Sequence, residues 1–156
     1  MLNGAHAVSR RTLLLGSGGA AAVAMLAAAC SDSDAPTVIS PDQAALNTAL
    51  DGENALIVAF TAGVEGSTAE QRRGAAALRS HRAHADALID AGAETATAAP
   101  SPPASARSAR ELARLQRAQA DRLERLALGV SPRVALLLGS IAASDSATAV
   151  LLGAGR

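Results

Sequence analysis

The chain has 156 residues, with Lys and Arg together numbering 14 against 14 Asp and Glu, so its formal net charge is zero. Such a balance leaves no basic excess to follow a phosphate backbone, which excludes nucleic acid as a partner. The one Cys rules out an internal disulfide, and a lone Phe with no Tyr or Trp means that the core is built from Leu, Ile, Val and Ala.

The N-terminal segment reads as an export signal. Arg10 and Arg11 precede an apolar run from Leu13 to Ala29, interrupted only by Gly16, Ser17, Gly18 and Gly19. A basic pair, an apolar stretch and a small-residue exit form a signal peptide over residues 1–29, and the run is short and weakly apolar for a membrane span. A simple anchor helix is the competing reading. Ser9-Arg10-Arg11-Thr12-Leu13-Leu14 resembles the twin-arginine consensus, which names the twin-arginine export machinery as a partner. The run ends in Ala27-Ala28-Ala29-Cys30 and resembles the bacterial lipoprotein signal, with Ala27 where that signal usually has Leu. The resemblance implies that Cys30 is acylated and anchors the protein at the outer face of the cell membrane. Cleavage after the Ala run, giving a secreted protein, is the alternative. Residues 30–39 are small and polar and read as a flexible tether.

Beyond the tether, helix signals dominate and strand signals are missing: there is no sustained two-residue alternation and no hairpin dipeptide. Ser40-Pro41-Asp42-Gln43 offers a cap, a first-turn Pro and a capping-box Gln for a helix over 41–62. Ser67-Thr68-Ala69-Glu70 is a second box, opening a helix that runs to about Ala91 and stops at Gly92. Ser108-Ala109-Arg110-Glu111 is a third, with an earlier start near Ser105 as the alternative and the helix ending at Leu128 before Gly129. Ser131-Pro132 opens the last helix, to about Leu152.

The connections are uneven. Short links around 63–66 and 129–131 force two antiparallel hairpins. Between the hairpins, residues 93–105 read AETATAAPSPPAS. In extended Pro-rich form this segment reaches ~40 Å, longer than the ~30 Å of a six-turn helix. It can therefore cross the whole bundle; a disordered linker of no topological meaning is the competing reading. The expectation is an all-α, ferritin-like four-helix bundle over 40–153, with a long crossover between helices 2 and 3.

Each predicted helix carries a polar residue on its apolar stripe. Glu53 lies seven residues from both Leu46 and Phe60; His81 falls in line with Leu78, Ala85 and Leu88, with His84 one turn on. Gln119 interrupts Leu112, Leu115, Leu123 and Leu126, and Asp145 interrupts Val134, Leu138, Ile141 and Thr148. Carboxylates at such depth must be neutralised or paired. Glu53, His81, His84 and Asp145 are candidate ligands for iron, manganese or zinc. A polar layer that only fixes register is the competing reading. The charges of the third helix, Arg110, Arg114, Arg117, Asp121, Arg122, Glu124 and Arg125, read as a solvated face with paired neighbours, or as a docking stripe for an anionic partner.

The segments LNTALDGENALIVAF and LRSHRAHADALIDAGA, followed by the Pro-rich break, resemble the ferritin-like domain lipoproteins of unknown function from high-GC bacteria. The resemblance covers 43–152. It implies a ferritin-like fold, an acidic residue on helix 1 and a His-Arg stretch on helix 2. The chain departs from the di-iron pattern of Glu-x-x-His on two helices plus a lone Glu on each of the others. Helix 2 reads His81-Arg82-Ala83-His84, and helix 4 has neither Glu nor His. The expectation is a non-enzymatic binding or structural domain; the alternative is a metal-dependent oxidase or ferroxidase with iron or manganese at a degenerate site. No nucleophile elbow and no glycine-rich phosphate loop after a strand appears.

Overall fold

A serine stands at the N-terminal boundary of each of the four helices. The computed structural model describes residues 39–94 and 105–154, and in it the chain forms α1 (Pro41–Thr61), β1 (Val64–Glu65), α2 (Thr68–Asp90), β2 (Arg107–Ser108), α3 (Ala109–Ala127) and α4 (Pro132–Gly153). The proposed signal with Arg10, Arg11 and Cys30, and the Pro-rich part of the crossover at 95–104, lie outside the described residues.

The box at Ser67 and Glu70 closes reciprocally. The other two expected boxes form only half. Ser40 and Ser108 accept from the backbone of Gln43 and Glu111, but the Gln43 side chain turns to the carbonyl of Gly92 at 2.7 Å and Glu111 pairs with Arg107 at 3.1 Å. Ser131 makes no side-chain cap; its backbone N–H and hydroxyl donate instead to Asp42 at 2.8 and 2.6 Å. Those two bonds, the hydroxyl's first, hold the Asp42 carboxyl below the usual range. At the end of α2, Gly92 takes φ +108°, and the N–H groups of Gly92 and Ala93 return to Ile89 and Leu88. This closing pattern needs a left-handed residue, which Gly supplies without strain.

The tertiary links show how the helices run. Gln43 and Asn47 of α1 bind Gly92 and Glu94 beyond α2, and Asp42 binds Ser131, so the start of α1, the end of α2 and the start of α4 share one end of the bundle. At the other end β1 pairs in parallel with β2, Val64 opposite Arg107 and Glu65 opposite Ser108. Glu94 and Ser105 therefore stand at opposite ends of the bundle. α1 runs parallel to α4, and α2 to α3, which is the single-crossover bundle expected. The two-residue strands were not legible as strands, because a clasp this short carries no alternation.

The apolar interior falls into two clusters. The first holds Leu46, Leu50, Leu88, Leu123, Leu138 and Ile141 with intervening Ala. The second holds Leu56, Phe60, Val64, Leu112 and Leu152, again filled in with Ala. On α3 the face is turned from the expected one: Leu115 is exposed and Gln116 is fully buried. The charged residues of α3 are exposed as expected, but their anticipated pairs do not form; among the described residues Arg107–Glu111 is the one Arg–carboxylate pair. α4 contains an 18-residue stretch with a mean hydropathy of 1.7 and is, among the described helices, the one long and apolar enough to cross a membrane. In this fold Val134, Leu138, Ile141 and Leu152 bury one side of it.

Candidate metal centre

Between the two apolar clusters lies a polar layer. Glu53, His81 and Gln116 are fully buried, Asp145 is 1% exposed and Gln119 7%. Heptad spacing produces the layer. Glu53 sits two turns from both Leu46 and Phe60, and Asp145 two turns from both Leu138 and Leu152, so neighbours that must be buried carry each carboxylate inward. His81 occupies the equivalent position on α2, and His84, one turn on, reaches the same point with 14% of its side chain exposed.

The four groups expected as ligands meet. His81 Nδ1 is 2.8 Å from Glu53 Oε2 and 3.6 Å from Asp145 Oδ1; His84 Nδ1 is 3.4 and 3.5 Å from the same two oxygens. Each residue offers one ligand atom, and all of these atoms lie within 4.8 Å of one another. The Phe60 ring packs on His81 with centroids 5.3 Å apart, and the two imidazoles meet edge to face at 5.9 Å.

Supporting contacts orient the donors. Gln119 donates to the carbonyl of Ala49 at 3.3 Å and to Glu53 Oε1 at 3.4 Å, leaving Oε2 toward the imidazoles. Gly52 makes room for Gln119, since a Cβ there would fall on the Gln119 amide. His84 Nε2 lies 3.3 Å from Ser80 Oγ, which is itself 3.5 Å from Ser144 Oγ. Other polar atoms in the layer have no hydrogen-bond partner among the described residues: both oxygens of Asp145, His84 Nδ1, His81 Nε2 and the Gln116 amide. Native interiors hold few such orphans, and a cluster of them calls for an unseen partner.

The electrostatics separate the two carboxyls. Burial raises Glu53, but the hydrogen bond from His81, the close approach of His84 and the charge of the two imidazoles outweigh it and hold the group at about 2. Burial first, and then the Glu53 charge, push Asp145 up to about 8, with Gln116 acting in the opposite sense. One carboxylate is thus ionised and the other neutral at pH 7, as expected where two acids share a buried site. A divalent ion would allow both to ionise.

Sequence reasoning found Glu53, His81, His84, Gln119 and Asp145, and missed Gln116. The signal was present. Gln116 lies seven residues before Leu123 and four after Leu112, on the face shared with Ala109, Ala113 and Ala120. Following the leucines alone selects Leu115 and turns that face by one position.

Compared with known proteins, the chain matches no family model, no curated protein and no solved structure.

Proposed function

We propose that this is an exported, lipid-anchored ferritin-like domain that holds a divalent cation among its four helices and has a binding or structural role. One observation carries the metal reading: four ligand atoms of two imidazoles and two carboxylates converge within 4.8 Å at the centre of the bundle. The orphaned oxygens of Asp145 support it, because a layer that merely fixed register would satisfy its own members. Against a ferroxidase stands α3, which turns two amides, Gln116 and Gln119, into the layer where di-iron chemistry needs a carboxylate. Export and anchoring rest on Arg10, Arg11 and Cys30. A domain that closes its core around an ion before leaving the cytoplasm suits a route for folded proteins.

Metal analysis of the purified protein tests the reading. A stoichiometric divalent metal, lost in the Glu53→Ala/His84→Ala double variant while helical content persists, is the expected result; a metal-free protein that takes up none on titration refutes it. For the address, Cys30→Ala should release the protein from membranes, and an Arg10→Lys/Arg11→Lys variant should remain in the cytoplasm.

A further inference from the structure

We infer that the cluster is a closed site for one ion of tetrahedral geometry, suited to zinc, and not a site for a pair of redox metals. The inference rests on the metal-binding reading above and concerns its geometry. A zinc ion ~2.0–2.1 Å from four N or O donors places those donors ~3.4 Å apart. The four imidazole–carboxylate separations are four of the six edges of such a figure. Three of them are 3.4, 3.5 and 3.6 Å. The fourth, at 2.8 Å, is the His81–Glu53 hydrogen bond. It has to give up its proton and lengthen by a little over half an ångström as the ion enters, ~0.6 Å by the same geometry. The two remaining separations, His to His and carboxylate to carboxylate, are bounded at 4.8 Å and have to close toward ~3.4 Å as the ion draws the donors in.

The donor set narrows the ion. Two imidazoles among four ligands disfavour calcium and magnesium, which take oxygen donors. Two metals ~3.5–4 Å apart would share the same four residues. Even with both carboxylates bridging, each would have one imidazole and two oxygens, and the neighbouring groups of α3 are amides. One dication also matches the two carboxylate charges, so the loaded layer is neutral and suits its burial.

The second contacts are those a bound imidazole and carboxylate need. In the tautomer that donates Nε2–H to Ser80 Oγ, 3.3 Å away, the Nδ1 lone pair of His84 faces the cluster. Gln119 holds Glu53 Oε1 and leaves Oε2 for the ion. An ion at the centre gives a partner to Asp145 Oδ1 and His84 Nδ1, two of the orphaned atoms. With Glu53 and His81 at 0% exposure and Asp145 at 1%, the ligands leave no fourth position to water, which is the arrangement of a structural or holding site. The His84 edge, at 14% exposure beside Ser80 and Ser144, is the route in.

Cobalt(II) reports this geometry directly. The full chain, stripped with a chelator, is titrated with cobalt(II) and then with zinc, following visible absorption and metal content. The expected result is one ion per chain, the intense ligand-field band of four-coordinate cobalt, and its loss on adding one equivalent of zinc. His84→Ala, at the half-buried edge, should abolish the intense band. Gln119→Leu, a change in a positioning residue, should keep the band and weaken zinc binding roughly 10–100-fold. Binding of two ions per chain, or the weak band of six-coordinate cobalt, overturns the tetrahedral single-ion site while leaving metal binding in place. No uptake of either metal overturns both.

Discussion

The two apolar clusters and the polar layer between them are built by the same four helices, but they are held together differently. In the clusters, Leu50, Leu123 and Leu138 on one side and Leu112 and Leu152 on the other are at most 1% exposed and need nothing from outside the chain. In the layer, carboxylates, imidazoles and amides are buried too, His84 and Gln119 less completely, yet they outnumber the hydrogen bonds they can make to one another. The ends fix the register of the helices, and that register imposes the layer. The clusters should therefore respond to packing alone, and the layer to metal and pH.

The largest effect should come from breaking a cluster. Leu50→Ala or Leu138→Ala removes a fully buried side chain and should cost about 2–5 kcal/mol in chemical denaturation. The loss should be the same with and without zinc; a difference would mean that the clusters and the layer are not independent. Breaking the layer should cost less in the absence of metal. Glu53→Ala takes the partner from His81 Nδ1 and should destabilise the metal-free protein by about 1–3 kcal/mol. In excess zinc the gap between parent and variant should widen, because binding at a concentration of 100 times Kd adds about 2.7 kcal/mol to the parent alone. An unchanged gap would remove the ion from the stability of the layer.

A graded effect of pH should mark the layer and spare the clusters. Asp145 holds its proton in the fold up to about 8, whereas its ordinary value is 3.8. Between these values the folded chain binds a proton that the unfolded chain has released, so the metal-free protein should lose stability steadily as pH rises from about 4 to about 8. Glu53 acts at the acid end: its carboxyl is depressed from 4.5 to about 2, so its contribution is complete above 4.5 and lost as pH falls toward 2. Thermal melts in chelator should show a decline toward pH 8 that Asp145→Asn flattens. In zinc the trend should reverse, since the ion displaces the Asp145 proton and binds more tightly as pH rises. A flat metal-free profile would mean that Asp145 titrates normally.

Much of this comparison was legible in the sequence, for a physical reason. Helix periodicity and caps depend on neighbours three and four residues apart, and so does the burial of Glu53, His81 and Asp145, which follows from the leucines and aromatic one or two turns away. The uneven connections gave the crossover, because a segment long enough to span the bundle could be measured against the helices. What depends on tertiary contact was hidden. Gln43 leaves its own cap for Gly92, and Ser131 serves Asp42 in place of α4, because partners on other helices outcompete local ones. Gln116 was hidden because the buried face of α3 is marked by Ala109, Ala113 and Ala120, and alanine is too common here to announce a face.

The smallest effects should come from two glycines that undergo the same substitution with opposite results. Gly139 stands exposed on α4, and a Cβ there meets nothing within 4 Å. Replacing it with Ala relieves only the backbone entropy of a helical glycine and should stabilise the protein by about 0.5–1 kcal/mol. Gly52 faces the layer from α1, where a Cβ would fall on the Gln119 amide. Gln119 is the end of a flexible side chain and can swing aside, so Gly52→Ala should cost only about 1 kcal/mol, the low end for overpacking. The displacement should also break the bond from Gln119 to Glu53 and weaken zinc binding as Gln119→Leu does, while Gly139→Ala leaves zinc binding untouched. Equal shifts in melting temperature for the two variants would mean that Gln119 is not seated on α1, and that Glu53 reaches the centre of the layer without its support.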